Sequence, residues 1–159
     1  MTPTRSFDVL QLLVRHGVAF IVVGMTAGVL QGAPAVTFDL DLLYERTPEN
    51  ISRLMAALTE LEAVFRTDPR QLAPNESHLR STGHKLLRTK YGTVDFLGSL
   101  DERPYEAVLD RSITLDVEDM TIHVLSLEEL IEVKTRAGRD KDLAVLPLLR
   151  ATLAARQAR

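Results

Sequence analysis

The chain contains no cysteine, which excludes a disulfide framework, a thiolate metal site and a cysteine nucleophile. A cytoplasmic location fits that absence. A long unbroken apolar run is also missing. The nearest candidate, Val18 to Leu30, is interrupted by Gly24, Thr26 and Gly28 and falls short of the ~20 residues a spanning helix needs. No basic start followed by an apolar stretch and a small-residue cleavage site opens the sequence, so neither a membrane nor a secretory signal is expected. Positive charge is not in excess either. The formal net charge is −3, the wrong sign for a protein that grips nucleic acid over much of its surface. Internal repeats, low-complexity tracts and linker-like segments are absent as well.

What remains is a chain of 159 residues with ordinary apolar and charged fractions, enough for one domain with a true core. Phe7, Leu10, Leu13 and Val14 repeat at helical spacing behind Ser6, which can cap them, and Gly17 ends the helix. Ala19 to Val23 reads as a buried strand stopped by Gly24. A short helix over about 26–30 follows, and the Gly32-Ala33-Pro34 turn closes it. Thr37 to Tyr44 reads as a second strand. Thr47-Pro48-Glu49 opens a helix with a hydroxyl cap, a first-turn proline and an acid favoured by the helix dipole. Val64-Phe65 begins another strand, and 68–83 reads mostly as loop. Two hairpins (85–89 with 93–97, and 113–117 with 120–124) flank a short helix over 103–110. Ser126-Leu-Glu-Glu129 has capping-box spacing and opens a helix that Gly138 stops. A last helix from Asp140 meets Pro147, which should kink or divide it. The expected architecture is α+β: one domain over 1–159, a mixed sheet flanked by helices, and a helical C-terminal segment over about 126–156.

The chemistry concentrates in Thr37-Phe38-Asp39-Leu40-Asp41-Leu42. Alternation along a strand puts Asp39 and Asp41 on one face and Phe38, Leu40 and Leu42 on the other. Two carboxylates on one face repel unless a cation or water intervenes. Asp95, within Gly92-Thr-Val-Asp-Phe-Leu97, is a third strand acid opposite in facing to Val94 and Phe96. Three acids from two neighbouring strands can hold Mg²⁺ (or Mn²⁺), a hard cation suited to carboxylate and phosphate oxygens. Two such ions about 3.5–4 Å apart serve in-line phosphoryl displacement. The bland reading of an Asp-x-Asp strand is a pair of ordinary surface aspartates. Gly24, after a buried strand, offers either close approach of backbone to a ligand or a simple turn.

Two further features bear on the site. Leu127, Leu130, Ile131 and Lys134 share a helical stripe, as do Asp142, Leu146, Leu149 and Leu153. Inward-facing Lys134 and Asp142 therefore need partners. They can pair with each other, or Lys134 or Lys141 can reach a phosphate or balance the acids. Arg80, Lys85, Arg88 and Lys90 form a basic stretch, read either as a guide for a nucleotide or as a solvated strand face. His78 and His84 read as packed or surface residues more than as ligands.

The order buried strand, Gly24, short helix, Gly32-Ala-Pro34, Thr37-x-Asp39-Leu-Asp41 and Thr47-Pro-Glu-Asn50 resembles the minimal nucleotidyltransferases of the DNA polymerase β-like superfamily. The bacterial and archaeal forms that include abortive-infection type toxins are the most similar. Leu125-Ser-Leu-Glu-Glu-Leu-Ile131, Lys134 and Gly138-Arg-Asp-Lys-Asp142 are similar to that group's C-terminal segment, so the resemblance runs from about Phe20 to Leu149. It implies a nucleotidyltransferase-like mixed sheet, a magnesium site at Asp39, Asp41 and Asp95, and transfer of a nucleoside monophosphate from a triphosphate to a hydroxyl on protein, RNA or a small molecule. Nucleotide contacts would fall to Gly24, Met25, Thr26, Thr37, Lys134, Lys141 and Asp142. So small a chain is expected to use a partner subunit or a homodimer to complete an acceptor site. Two positions depart from the pattern. Met25 stands where the superfamily usually has glycine or serine, and Ala35 stands where an arginine is common. They support an alternative expectation, a nucleotide-binding or toxin–antitoxin module with impaired turnover.

Overall fold

The computed structural model describes residues 3–159. Among them a seven-stranded mixed sheet runs in the order β3-β4-β5-β2-β1-β7-β6. The strands are β1 (Phe20–Val23), β2 (Leu40–Tyr44), β3 (Val64–Phe65), β4 (His84–Thr89), β5 (Gly92–Leu97), β6 (Ser112–Val117) and β7 (Met120–Leu125). The helices are α1 (Ser6–Arg15), α2 (Gly24–Leu30), α3 (Pro48–Glu60), α4 (Glu76–Arg80), α5 (Tyr105–Val108), α6 (Leu127–Ala137), α7 (Asp140–Ala144) and α8 (Leu146–Gln157). The expected α+β architecture with a helical C-terminal segment is the observed one.

Central β1 and β2 pair antiparallel, with Val23 opposite Asp41. β2 and β5 pair parallel, with Asp41 opposite Asp95. β1 is apolar throughout and fully buried, as a strand covered on both faces must be. On β2 and β5, Leu40, Leu42, Tyr44, Val94 and Phe96 point into the core, which leaves Asp41 and Asp95 on the other face by simple alternation.

The local signals account for most element ends. Thr47 caps α3 by accepting from the Asn50 N–H, and Ser126 caps α6 by accepting from the Glu129 N–H. Gly138 ends α6 at φ +66°, a left-handed turn open to glycine at little cost. Pro147 divides the last helical stretch into α7 and α8, because its ring excludes a continuous hydrogen-bond ladder.

Several boundaries differ from expectation. Ser6 is the first residue of α1 rather than its cap, and no side chain caps that helix. Helix α2 begins at Gly24, earlier than the sequence suggests. The stretch expected to be mostly loop contains α4, whose cap Asn75 accepts from the His78 N–H while the His78 ring accepts from the Asn75 N–H. His78 is thus a capping residue and packs edge-on against Phe65.

Candidate active site

Strand β2 starts at Leu40, not Thr37, so Asp39 precedes the ladder and is not brought beside Asp41 by strand alternation. The reason is visible in its hydrogen bonds. The Asp39 carbonyl accepts from the hydroxyls of Thr26 (3.3 Å) and Thr37 (3.0 Å) instead of from a neighbouring strand. Just before it, the Phe38 carbonyl accepts from the Thr4 N–H and hydroxyl. Phe38 consequently stays exposed while Leu40 and Leu42 are buried. The Asp39 carboxylate is aimed by Thr93, whose hydroxyl donates to Oδ1 at 2.5 Å.

Asp41 and Asp95 are register partners across β2 and β5, close enough for their carboxyl groups to hydrogen-bond. Burial, then the Asp95 charge and that hydrogen bond, then the Asp39 charge, raise the Asp41 pKa to about 7, while Lys134 pulls it back down. Burial and two neighbouring carboxylates together outweigh the Lys134 charge at Asp41. All three acids therefore share one electrostatic neighbourhood.

Gly24 lies against this group. Its φ is +64°, and a Cβ built there would collide with the Asp41 Oδ2. Glycine is required at this position by the approach of helix α2 to a site acid. Met25 is partly buried and packs against the core. Thr26 is buried and its hydroxyl is engaged with Asp39. Thr26 and Thr37 thus position Asp39.

Lys134 and Asp142 pair, at 3.3 Å from Nζ to Oδ1, as the helical stripes suggest. The Asp142 side chain is 1% exposed and Lys134 is 19% exposed. Lys134 also opposes the rise at Asp41, so its charge acts on that acid as well as on the helix pair. Asp142 is held by Arg139 too, with Nε to Oδ2 at 2.6 Å. Lys141 is exposed and belongs to no ion pair among the described residues.

Two arginines were not singled out by sequence. Arg139 could have been found from its i, i+3 spacing to Asp142. Arg66 could not, because its role depends on strand pairing. It follows the two-residue β3, its Nη2 pairs with Asp95 Oδ1, and its Nη1 lies 3.7 Å from Asp39 Oδ1. The basic stretch also resolves differently. Lys85 is buried and donates to the carbonyls of Ser81 and Gly83, with its ammonium over the Tyr44 ring. Arg88 and His84 point outward.

The donor chemistry of Asp39, Asp41 and Asp95 fits a hard divalent cation, since all are carboxylates. Two of them, Asp39 and Asp95, are bridged by the Arg66 guanidinium. Among the described residues no group of three or more His, Cys, Asp or Glu side chains is arranged to hold a metal ion. No helix among those residues is long and apolar enough to cross a membrane.

A scan against protein-family models matches none, and no curated protein matches in sequence. Solved structures do match. The lincosamide antibiotic adenylyltransferase LnuA, bound to lincomycin, superposes with a TM-score of 0.64 at 14% identity, over 96% of this chain and 99% of that one. ANT(2'')-Ia in complex with adenylyl-2''-tobramycin gives 0.59 at 15% identity, over 94% and 87%. A candidate nucleotidyltransferase from Thermotoga maritima gives 0.58 at 17% identity, over 92% and 94%. The likeness is one of fold and spans nearly the whole of each chain, so this protein has the minimal nucleotidyltransferase fold that its strand, glycine and acid order resembles.

Proposed function

We propose that the chain is a metal-dependent nucleotidyltransferase that moves a nucleoside monophosphate from a nucleoside triphosphate to a hydroxyl acceptor. The observation that carries this reading is the adjacency of Asp41 and Asp95 in register on one sheet face, with Asp39 fixed beside them by Thr93. Mg²⁺ or Mn²⁺, held by Asp39, Asp41 and Asp95, would neutralise triphosphate charge and favour the ionised acceptor hydroxyl. This chain's own groups do the rest. Asp95 receives the acceptor proton, Thr93 orients Asp39, and Lys134 supplies a positive charge facing the acids. Gly24 keeps the entrance to α2 clear of side-chain bulk. The acceptor class remains protein, RNA or small molecule. The solved neighbours lend weight to the last, since one complex carries an adenylyl group on an antibiotic. A cytoplasmic setting supplies the triphosphate, and a second copy or a partner subunit would complete the acceptor side.

The test is incubation with each labelled nucleoside triphosphate, Mg²⁺ or Mn²⁺, and either cell lysate or a panel of hydroxyl-bearing small molecules. A labelled product is expected with at least one nucleotide. It should vanish with chelator and fall at least ~100-fold in Asp41→Asn and Asp95→Asn. No product with any nucleotide, under conditions where a known transferase labels its acceptor, overturns the reading.

Met25 packed on the core and Thr26 engaged with Asp39 favour a second reading, a nucleotide-binding or toxin–antitoxin module without turnover. Calorimetry separates the two. Mg²⁺-dependent nucleotide binding without transfer supports the module, and transfer excludes it.

A further inference from the structure

Arg66 occupies a distinctive place. Phe65 pairs with Leu87 and the Arg66 N–H donates to the Leu86 carbonyl at 2.9 Å. Leu86 pairs with Asp95, and Asp95 pairs with Asp41. Arg66, Leu86, Asp95 and Asp41 thus form one transverse row, and residues in such a row share a sheet face. The Arg66 side chain crosses Leu86 and delivers its guanidinium to Asp95 and, at 3.7 Å, to Asp39. Its Nε is buried and has no hydrogen-bond partner. A buried donor left unpaired is costly, so the guanidinium is held there by the acids alone.

We propose that Arg66 is an internal counter-cation that a divalent ion displaces, so that Asp39 and Asp95 are bridged by a guanidinium at rest and freed on cation binding. This inference rests on the metal-binding reading above. A planar guanidinium with N–H donors spaces carboxylates by its own fork, which accounts for Asp39 and Asp95 lying near Asp41 without a ready cage for a metal. Mg²⁺ binds carboxylate oxygens at about 2.0–2.1 Å and brings twice the charge, so at the Oδ1 atoms of Asp39 and Asp95 that Arg66 engages it competes with the guanidinium for the same lone pairs. Arg66 can leave because it is anchored at a sheet edge by a two-residue strand and its side chain is 24% exposed. Once released, Nε and the two amino groups present unpaired donors on the face where a triphosphate would lie.

The experiment is a titration of free Mn²⁺ by electron paramagnetic resonance, without nucleotide, on the full chain. Arg66→Gln should bind Mn²⁺ about tenfold more tightly than the natural protein, Arg66→Lys should fall between, and Asp95→Asn should bind more weakly. In the unsubstituted protein, the Arg66 Nε–H resonance should shift on saturation with Mg²⁺ and exchange faster with water, a readout independent of any variant. Mn²⁺ binding that is equal or weaker in both Arg66 variants, or an unmoved Nε–H resonance at saturating Mg²⁺, overturns the counter-cation and leaves the metal site standing. Failure of every protein to bind Mn²⁺ overturns both.

Discussion

Gly24 enters α2 at φ +64°, and a Cβ added there would run into the Asp41 carboxylate. An alanine there meets two costs, the left-handed backbone, about 1–2 kcal/mol, and a collision that only movement of Asp41 relieves. Gly24→Ala should lower stability by about 2 kcal/mol or more and weaken any ligand that needs Asp41, both measurable by thermal unfolding with and without Mg²⁺ and nucleotide. Lys85 poses a different residue-scale problem. Burial, and then the Arg46 charge, depress its pKa from 10.5 to about 8. Between those values the folded state holds fewer protons than the unfolded state, so stability rises with pH from about 8 toward 10.5. Below pH 8 the full cost of burying the ammonium is present. Above about pH 10 the buried Tyr44 acts in the opposite direction, because burial raises its pKa and the unfolded chain ionises first. The window free of Tyr44 is therefore about 8 to 10. Urea unfolding across it should show a rise in stability that is absent in Lys85→Met. Equal slopes for the two proteins would show that Lys85 is not the source.

At the scale of elements, the junction of α6 with α7 depends on one buried carboxylate. Asp142 accepts from Arg139 Nε at 2.6 Å, from the Arg139 N–H at 3.3 Å and from Lys134 Nζ at 3.3 Å. These contacts, the Arg139 hydrogen bond first, hold its pKa below 3.8. The contribution is complete above that unfolded value and fades as pH falls through the lower folded one. Asp142→Asn should cost about 2 kcal/mol at neutral pH, less than a fully buried pair because Lys134 and Arg139 keep access to water. The same difference should shrink in acid when chemical denaturation is repeated near pH 3. This junction was legible in sequence because helical spacing placed Lys134 and Asp142 on apolar stripes. Element order, the caps at Thr47 and Ser126, and the division at Pro147 were legible for the same reason: each depends on residues a few positions apart. The start of β2 was not. It depends on Thr26 and Thr37 binding the Asp39 carbonyl, a competition between hydroxyl donors and strand pairing that alternation does not register. Arg66 was hidden for a related reason. It shares a sheet row with Asp95, across the intervening Leu86, but lies 29 residues away in sequence.

Across the whole molecule, the proposed site joins pieces that lie far apart in sequence. Asp41 and Asp95 come from parallel neighbours β2 and β5, Arg66 from beyond edge strand β3, Gly24 from the end of β1, and Lys134 from α6. A ligand that engages these groups bridges both halves of the sheet and a C-terminal helix, so its binding free energy becomes stability of the fold as a whole. With Mg²⁺ and the correct triphosphate at about 100 times Kd, the linkage amounts to about 2.7 kcal/mol. For a domain of this size each kcal/mol moves Tm by roughly 2–4 °C, so a rise of about 5–11 °C is expected by calorimetry. Chelator should abolish it, and Asp41→Asn or Asp95→Asn should reduce it to almost nothing. Arg66→Gln should behave differently from either acid variant. Its metal-free Tm should fall because the acids lose their counter-cation, and its gain on adding Mg²⁺ alone should exceed that of the unsubstituted chain. A shift of equal size in the acid variants would place the nucleotide elsewhere on the molecule. One confined to the unsubstituted chain and Arg66→Gln ties it to the Asp41 and Asp95 carboxylates.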